Sequence, residues 1–324
     1  MKAIARQAYG PPEILEEVEL DKPTPGDDEV LIRIHATSLN ASDWELLTGS
    51  PLYGRLTGLF TPGIQVLGSD VAGTVEAVGA GVTRFQPGDE VFGDIFETWG
   101  GFAEWVCAPQ GKLVPKPASM SFQQAAATPQ SGLIALQGLF DKGQLKAGQS
   151  VLINGAGGGG GSFAVQLARN AGATVTGVDS AEKAELGRSL GADHAIDYAR
   201  EDFTRNGQRY DLILDLVGHH SFRDFKRALA PEGRYLLVGG AMVLLLQVAI
   251  LGALLSLFSR KKMGVLIHEP NKDLNTLVEH LDSGAVTPAI DKVYPLDETA
   301  EALRYLGEGH ARGKVVIQVT PPRI

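Results

Sequence analysis

Cysteine is almost absent from this chain, and its scarcity excludes two classes of structure. Among 324 residues there is a single cysteine, Cys107. Neither a disulfide framework nor a cysteine-based zinc site can therefore form. The seven histidines do not stand at the spacings of metal ligands. We expect no bound metal.

The chain also lacks a block of basic residues. Its formal net charge is −9 at pH 7, which disfavours a nucleic-acid partner. The first residues, Met1–Gln7, are charged and alternating, which is typical of a strand and unlike a signal peptide. We expect a cytoplasmic protein.

One apolar run departs from this picture. Residues 241–258 contain only Gln247 and Ser256 as polar side chains, and Arg260–Lys262 follows. As a helix the run would reach about 27 Å, near the thickness of a bilayer core. Three interpretations stay open: a transmembrane span, a peripheral membrane contact, or a buried helix at a subunit interface or over a substrate cleft. A span would split the sheet predicted on either side of it.

Glycine, by contrast, is abundant, and it is concentrated in one loop. The apolar stretch Ser150–Asn154 leads into seven residues that are all Gly or Ala, Gly155–Gly161, and then into an amphipathic helix. A strand, a glycine loop and a helix in this order direct backbone N–H groups and the positive end of a helix at one point. Such a point suits a pyrophosphate.

The segments after the loop predict a dinucleotide-binding unit. A second strand, Thr174–Val178, ends at Asp179, where a Rossmann unit places its ribose-binding carboxylate. Leu212–Leu216 and Tyr235–Val238 read as further buried parallel strands with helical patterns between them. The loop carries no Gly-Lys-Ser/Thr, which argues against a P-loop.

The fold class is α/β, with two domains. Short strands separated by Pro-Gly turns predict a β-rich first domain over 1–121, joined by the returning strands of 288–324. A doubly wound parallel sheet is predicted over 122–287. Ser121–Gln124 has the form of a capping box that opens the first helix of that second domain.

Four longer motifs add a resemblance that spans nearly the whole chain. They are Val78–Gly93, Lys146–Gly155, Leu190–Tyr198 and His310–Ile317. With the domain order, they resemble the medium-chain dehydrogenase/reductase superfamily, and most closely its zinc-free quinone oxidoreductase branch and relatives called NAD(P)-dependent alcohol dehydrogenases. The resemblance implies a GroES-like catalytic domain and a Rossmann domain that binds NAD(P)H.

The zinc turns of this superfamily are altered here. Its zinc alcohol dehydrogenases take a Cys and a His from two turns, which in this chain read Asn40–Asp43 and Gly68–Asp70. Asn and Ser are poor zinc ligands. The resemblance then implies hydride transfer from NAD(P)H to a quinone or an α,β-unsaturated carbonyl, whose receiving carbon needs no Lewis acid. The alternative is a non-catalytic or membrane-associated NAD(P)H-binding protein.

The resemblance also implies which residues form the site. The catalytic candidates are Asn40 and Asp43, in the altered zinc turn, and Tyr53, which either donates a proton or forms a wall of the cleft. The loop and the resemblance together give the cofactor-binding candidates, which are Asn40, Thr128, Ala156, Gly157, Gly158, Gly159, Gly160, Gly161, Asp179, Ser180, Lys183, Tyr198, Val217, Gly239, Gly240 and Lys314.

The sequence contains opposing indications for NADH and for NADPH as the cofactor. A carboxylate at Asp179 would hold the ribose hydroxyls and repel a 2′-phosphate. Lys183 and Tyr198, with help from Ser180, match positions that bind the 2′-phosphate in NADPH-dependent relatives. We expect NADH to be accepted and NADPH also to be used.

The predicted sheet suggests self-association. A strand around Gly264–His268 would lie at the edge of the Rossmann sheet, next to the apolar run. Exposed apolar edges pair readily with a second copy. We therefore expect a homodimer, and a dimer of dimers stays open.

Overall fold

The computed structural model describes residues 1–320, and these form two compact units. The first unit comprises Met1–Gln130, Pro270–Asp282 and residues 290–320, and the second comprises Ser131–Glu269 and Ser283–Ala289. The units differ from our domain boundaries at 122–130, 270–282 and 288–289. The boundaries themselves stay a prediction.

The described residues contain strands and helices in alternating groups. The strands are β1 (Lys2–Ala5), β2 (Glu16–Glu19), β3 (Glu29–Ser38), β4 (Asp70–Val78), β5 (Glu90–Asp94), β6 (Trp105–Pro109), β7 (Val114–Pro115), β8 (Ser150–Asn154), β9 (Thr174–Asp179), β10 (His194–Asp197), β11 (Tyr210–Asp215), β12 (Leu229–Leu237), β13 (Lys262–Val265), β14 (Ile290–Pro295) and β15 (Lys314–Gln318). The helices are α1 (Ala41–Thr48), α2 (Phe122–Ala126), α3 (Pro129–Leu136), α4 (Gly159–Asn170), α5 (Ala181–Ser189), α6 (Phe222–Ala228), α7 (Met242–Phe258), α8 (Leu274–Asp282) and α9 (Thr299–Gly307).

The first unit is built on a mostly antiparallel sheet. Its strand order is β14-β15-β3-β4-β5-β7, with β6 paired to β3. Val30, Ile32 and Ile34 alternate along β3 and are buried in one core cluster, as the period of two in a strand requires. β15 pairs with β3 in antiparallel register, Val316 opposite Ser38. The last strand, β15, is therefore hydrogen-bonded to a strand of the first unit.

The capping box predicted at Ser121 is present. The Ser121 side chain accepts a hydrogen bond from Gln124 N at 3.1 Å, and Gln124 Oε1 accepts one from Ser121 N at 3.0 Å. Two N–H groups at the start of α2 are thereby satisfied. The helix that begins there lies in the first unit, not in the second.

The second unit is the predicted doubly wound sheet. Six parallel strands follow the order β10-β9-β8-β11-β12-β13, in which the sequence runs outward in both directions from β8. Between β8 and β11 the strand order reverses, and in open α/β sheets ligands bind outside the carboxyl ends of the strands at such a point. The strand that we placed around Gly264–His268 runs instead over Lys262–Val265, but it does lie at the edge of the sheet.

Helix α7 covers the apolar run, and it is far from fully buried. Leu244, Val248 and Gly252 are its buried residues. A methyl group on Gly252 would lie 2.1 Å from Met263 O, so the helix packs closely on β13 at this point. Most of its other side chains are exposed, so the unit itself does not bury the helix. Within residues 1–320, no helix combines the length and the apolar character that crossing a bilayer requires.

Candidate active site

The glycine loop joins β8 to α4 and makes its turn at Gly155. Gly155 has a φ of +91°, a left-handed conformation that glycine adopts without strain. Gly158 is the N-cap of α4, and its carbonyl accepts from Ser162 N at 2.9 Å. The following residues, Gly159 and Gly160, therefore form the first turn of the helix.

Two glycines of this loop have opposite surroundings. A methyl group on Gly161 would lie 2.0 Å from Gly155 O and 2.7 Å from Ala156 Cα. The same group on Gly158 would meet only Gly155 O, at 3.4 Å. Gly161 is thus needed for packing of the helix on the strand, whereas Gly158 faces open space. A cradle of this kind suits a bulky group that lies directly on the backbone.

The carboxylate of Asp179 is bound to the same loop. Its Oδ2 accepts from Gly157 N at 2.9 Å, and its Oδ1 accepts from Ser180 N at 2.9 Å. A methyl group on Gly157 would lie 2.5 Å from Lys183 O, so α5 packs against the loop. The sequence-predicted residues Asp179, Ser180 and Lys183 therefore meet Gly157 in one place. The backbone of Tyr198 lies nearby, because its N–H donates a hydrogen bond to Asp179 O at 3.2 Å. The side chain of Tyr198 is exposed.

The ends of β11 and β12 meet at Asp215, which the sequence analysis did not single out. This fully buried carboxylate accepts from Asn154 Nδ2 at 2.8 Å and from Tyr235 Oη at 2.8 Å. It also accepts from Val217 N at 3.1 Å. Burial, with the nearby Asp215 charge, raises the pKa of Tyr235. An acid alone in the apolar strand Leu212–Leu216 was the available sign of such a role.

Asp215 fixes the loop that carries Val217, through a hydrogen bond from Val217 N at 3.1 Å. Val217 lies two residues after Asp215, and a methyl group on Gly240 would lie 3.4 Å from Val217 O. Gly239 has no atom within 4 Å of the position of such a group. Val217, Gly239 and Gly240 are therefore neighbours at the carboxyl edge of the sheet, with space above Gly239.

In the first unit, Asn40 and Asp43 form the N-terminal cap of α1. Asp43 is completely buried, and its Oδ2 accepts from Asn40 N at 2.8 Å. Its Oδ1 accepts from Gly68 N at 2.9 Å. Burial raises the pKa of Asp43 to about 7, although these two N–H groups stabilise the carboxylate and oppose the rise. Both carboxylate oxygens accept hydrogen bonds from backbone N–H groups, one in each altered zinc turn. Asp43 therefore positions the two turns relative to each other.

A buried cation, Lys314, joins this cluster. Its Nζ donates to Leu39 O at 2.9 Å and to Asn40 Oδ1 at 2.5 Å, and it lies 3.6 Å from Asp70 Oδ2. Asn40 Nδ2 donates to the same Asp70 oxygen at 2.9 Å. The Asn40 amide is thereby held in one orientation between an ammonium and a carboxylate.

Burial has the largest effect on the pKa values of Asp70 and Lys314. It raises the pKa of Asp70 to about 6, which the Lys314 charge opposes. It lowers the pKa of Lys314, which the nearby carboxylates of Asp70 and Asp43 oppose. Asp70, the centre of the cluster, was not a sequence candidate. Its one sign in the sequence was an acid at the start of the apolar strand β4.

Gln130, in the first turn of α3, contacts the same cluster. Gln130 N donates to Asp70 Oδ1 at 3.0 Å, and Gln130 Oε1 accepts from Ser42 Oγ at 2.9 Å. Thr128 is buried, and its hydroxyl donates to Gln124 O at 2.8 Å. Thr128 therefore lies two residues before Gln130 in the chain. Its own hydroxyl is bonded to the α2 segment and does not reach the cluster.

Tyr53 stands apart from that cluster. It lies in a short 3₁₀ helix, Leu52–Arg55, and its hydroxyl donates to Glu45 Oε1 at 2.6 Å. Burial, together with this carboxylate, raises the pKa of Tyr53. Burial likewise raises the pKa of Glu45. The phenol therefore stays protonated across the neutral range, with its proton directed at Glu45.

No group of three or more His, Cys, Asp or Glu side chains in the described part of the chain is arranged to hold a metal ion. At the first altered turn the cluster instead places an ammonium against the side chain of Asn40. At the second, the Ser69 side chain is buried and its hydroxyl lies 3.4 Å from Gln130 Nε2.

The comparisons with known proteins agree with this architecture. Residues 26–118 match the family described as alcohol dehydrogenase GroES-like domain, and residues 190–317 match the one described as zinc-binding dehydrogenase. The chain is 35% identical over 99% of its length to 80% of the tomato (Solanum lycopersicum) 2-methylene-furan-3-one reductase. The chain belongs to the medium-chain dehydrogenase/reductase superfamily, in its quinone oxidoreductase-like branch.

Two further relatives of this superfamily cover the chain as fully. The NADPH-dependent alkenal/one oxidoreductase of Arabidopsis thaliana is 33% identical over 99% of this chain and 80% of its own. The solved structure of the quinone oxidoreductase from Coxiella burnetii superposes with a TM-score of 0.87, at 30% identity, over 99% of both chains. The predicted combination of a GroES-like domain with a Rossmann sheet is confirmed.

Proposed function

We propose that this chain is a zinc-independent reductase that transfers hydride from NAD(P)H to a quinone or an α,β-unsaturated carbonyl. The observation that carries the proposal is the Lys314–Asn40–Asp70 cluster, a fixed ammonium, amide and carboxylate where zinc dehydrogenases of the superfamily bind their metal. The names of the three relatives, two reductases of enone-type substrates and one of quinones, favour the same substrate classes.

The second unit offers a set of groups that fits a dinucleotide. The open space at Gly158, beside the first turn of α4, would take the pyrophosphate. Asp179 and Ser180 would hold the adenosine ribose, because their backbone and side chain meet the loop at Gly157. The space over Gly239, next to Val217, would take the nicotinamide end. When bound, the cofactor supplies a hydride at nicotinamide C4.

The residues of the first unit hold protons and charge. Lys314 fixes Asn40, whose amide then presents a constant dipole to its surroundings. Tyr53 keeps its proton at neutral pH and holds it on Oη, bonded to Glu45. For Tyr53 to protonate a reduced substrate, its hydroxyl would turn from Glu45 to the substrate oxygen. These roles for Asn40, Asp43, Tyr53, Thr128 and Lys314 stay predictions.

The same contacts support zinc independence. A divalent cation at Asn40 would have to displace the Lys314 ammonium, which already binds Asn40 Oδ1 and lies 3.6 Å from Asp70. The amide and hydroxyl oxygens of Asn40 and Ser69 are weak replacements for a thiolate and an imidazole.

An assay with a panel of acceptors tests the proposal directly. We expect purified protein to oxidise NADH or NADPH with quinones and enals, and not with saturated aldehydes. The rate should be unchanged after dialysis against a chelator, and elemental analysis should find far less than one zinc per chain. A protein that binds NAD(P)H but turns over no acceptor would support the alternative, a non-catalytic binding protein.

For the cofactor we propose that NADH is accepted and that NADPH is also used, with Asp179 deciding the ratio. Asp179→Ser should weaken the binding of NADH, because the ribose hydroxyls lose their hydrogen-bond acceptor. The same variant should strengthen the binding of NADPH, because a 2′-phosphate no longer faces a carboxylate. A charged hydrogen bond is worth about 1.5–3 kcal/mol, so the NADPH/NADH ratio of kcat/KM should rise by at least about tenfold.

A lysine on the same side supplies the complementary variant. Lys183→Ala should lower kcat/KM for NADPH far more than for NADH, and Arg188→Ala, in the last turn of the same helix α5, should change neither. Equal changes for both cofactors in both variants would mean that Asp179 and Lys183 do not reach the ribose.

We also propose that the protein is a cytoplasmic homodimer. Strand β13 ends the parallel sheet of the second unit, and an edge strand pairs readily with a second copy of itself across a two-fold axis. A monomeric mass by light scattering at micromolar concentration would contradict the dimer.

A further inference from the structure

Helix α7 presents a continuous apolar stripe to solvent. The stripe consists of Val243, Leu246, Ile250, Leu254 and Leu257, which are all more than half exposed. Their spacings of three and four residues place them on one side of the helix. The stripe ends at Phe258, which is 88% exposed.

The opposite side of α7 already makes the contacts that hold it in its unit. Leu244, Val248 and Gly252 are buried against the sheet. The stripe is therefore not required to attach the helix. A helix that is apolar on both sides is stable where the second side also meets an apolar environment.

Basic side chains line a groove beside the end of this stripe. The groove has a volume of about 470 Å³ and runs between α7 and β13. Three cations line it, namely Lys142, Arg234 and Lys262. Arg234 donates to Gln144 Oε1 at 2.5 Å and Lys262 to Ser256 O at 3.1 Å. Within residues 1–320, none of the three forms an ion pair.

Further positive charge surrounds the C-terminal end of α7. Lys261 Nζ donates to Lys226 O at 2.8 Å and to Leu229 O at 2.9 Å. Burial lowers the pKa of Lys261, and the charges of Arg209 and Lys226 lower it further. Arg260 is exposed and pairs with Glu232. This local excess of cations stands out in a chain whose net charge is −9.

We propose that α7 lies flat on an anionic lipid bilayer. The stripe would enter the boundary between headgroups and acyl chains, and Lys142, Arg234 and Lys262 would bind lipid phosphate. A helix with large apolar side chains on its outer side and cations next to it is typical of segments that lie in a membrane interface. Its 17 residues span about 25 Å, which suits a segment lying in the plane of the membrane.

A second copy of the chain is the competing occupant, and the charges disfavour it. The helix begins at the uncharged residues 239–241 and ends at a basic cluster. A two-fold related copy would therefore bring no acidic side chain on its own α7 to meet those cations. An anionic lipid surface supplies the missing negative charge.

Co-sedimentation of the whole protein with vesicles tests the proposal. We expect at least tenfold tighter binding to phosphatidylcholine vesicles that contain phosphatidylglycerol than to phosphatidylcholine alone, and weaker binding at high salt. The double variant Ile250→Gln/Leu254→Gln should lose at least tenfold in affinity. Leu20→Gln/Val293→Gln, which changes two exposed apolar side chains of the first unit, is the matched control and should bind as the parent does.

A charge-reversed variant tests the contribution of the basic groove separately from that of the apolar stripe. Lys142→Glu/Lys262→Glu should abolish the preference for phosphatidylglycerol, whereas Arg200→Glu/Arg205→Glu, on the exposed loop after β10, should retain it. Circular dichroism should show that all variants are folded. The proposal is overturned if both vesicle types bind equally or not at all. It is also overturned if Ile250→Gln/Leu254→Gln halves the mass in light scattering and leaves lipid binding intact, since the stripe would then join two copies.

Discussion

Gly158→Val should weaken the binding of NADH and NADPH by at least about a hundredfold and leave the protein folded. A Cβ at this position meets only Gly155 O, at 3.4 Å, and the φ of −87° at Gly158 is open to any residue. The valine would therefore fit within the protein but fill the space at the start of α4. The loss corresponds to about 2.8 kcal/mol of binding free energy, and calorimetric titration with each cofactor measures it.

The neighbouring Gly161→Ala is the contrasting variant. Its methyl group would lie 2.0 Å from Gly155 O and 2.7 Å from Ala156 Cα, and backbone atoms cannot rotate away as a side chain can. We expect the free energy of unfolding to fall by about 3 kcal/mol, with cofactor binding lost only as the fold is lost. If Gly158→Val binds both cofactors with the parent's affinity, the loop does not hold the pyrophosphate. A fully stable Gly161→Ala would refute the close packing of α4 on β8.

The largest expected effect on stability is at Lys314. Lys314→Met should lower the free energy of unfolding by about 3–5 kcal/mol, because Asp70 and Asp43 are then left buried without their cation. Lys112→Met is the matched control. It removes a partly exposed lysine that pairs with Glu97 at 2.7 Å, and surface pairs contribute about 0–1 kcal/mol. Urea unfolding at neutral pH measures both.

The double variant Lys314→Met/Asp70→Asn should recover most of that loss. Without the ammonium the Asn40 amide is able to turn, so that its oxygen accepts from the new amide at position 70. We expect a coupling energy of about 2 kcal/mol or more in the double-mutant cycle. Additive costs would mean that Lys314 and Asp70 do not act as a charge pair.

The same cluster predicts how stability depends on pH. The folded-state pKa values of Asp70 and Asp43 are raised to about 6 and about 7 from 3.8. Between about pH 4 and pH 7 the folded chain therefore keeps protons that the unfolded chain has lost. The free energy of unfolding should then fall as the pH rises through this window, and Asp70→Asn should reduce the slope.

Much of the second unit could be predicted because its signals are local. The glycine loop, the apolar strands and the acid at the end of β9 all lie within short segments, and their order alone specifies a doubly wound sheet. The capping box at Ser121 was likewise readable from four consecutive residues. In each case the residues that interact are close in the chain, so their pattern is visible without the fold.

The polar cluster of the first unit was beyond such a reading. Asn40 meets Asp70, which lies 30 residues away, and Lys314, which lies 274 away. Nothing near Lys314 in the sequence distinguishes a buried ammonium from an exposed one. The partner of Tyr53, Glu45, was missed although it lies in the adjacent helix α1, because a glutamate in a helix usually faces solvent.

The position of Lys314 on β15 also bears on the order in which a ribosome delivers the parts of this protein. Asn40 and Asp70 emerge early, and every residue of the second unit emerges before Lys314 does. Until β15 is synthesised and pairs with β3, the nascent first unit has two buried acids and no cation to neutralise them. The parallel sheet of the second unit depends on no later segment than residues 283–289. Translation should therefore complete the second unit first and leave the first unit open to chaperones until its last strand arrives.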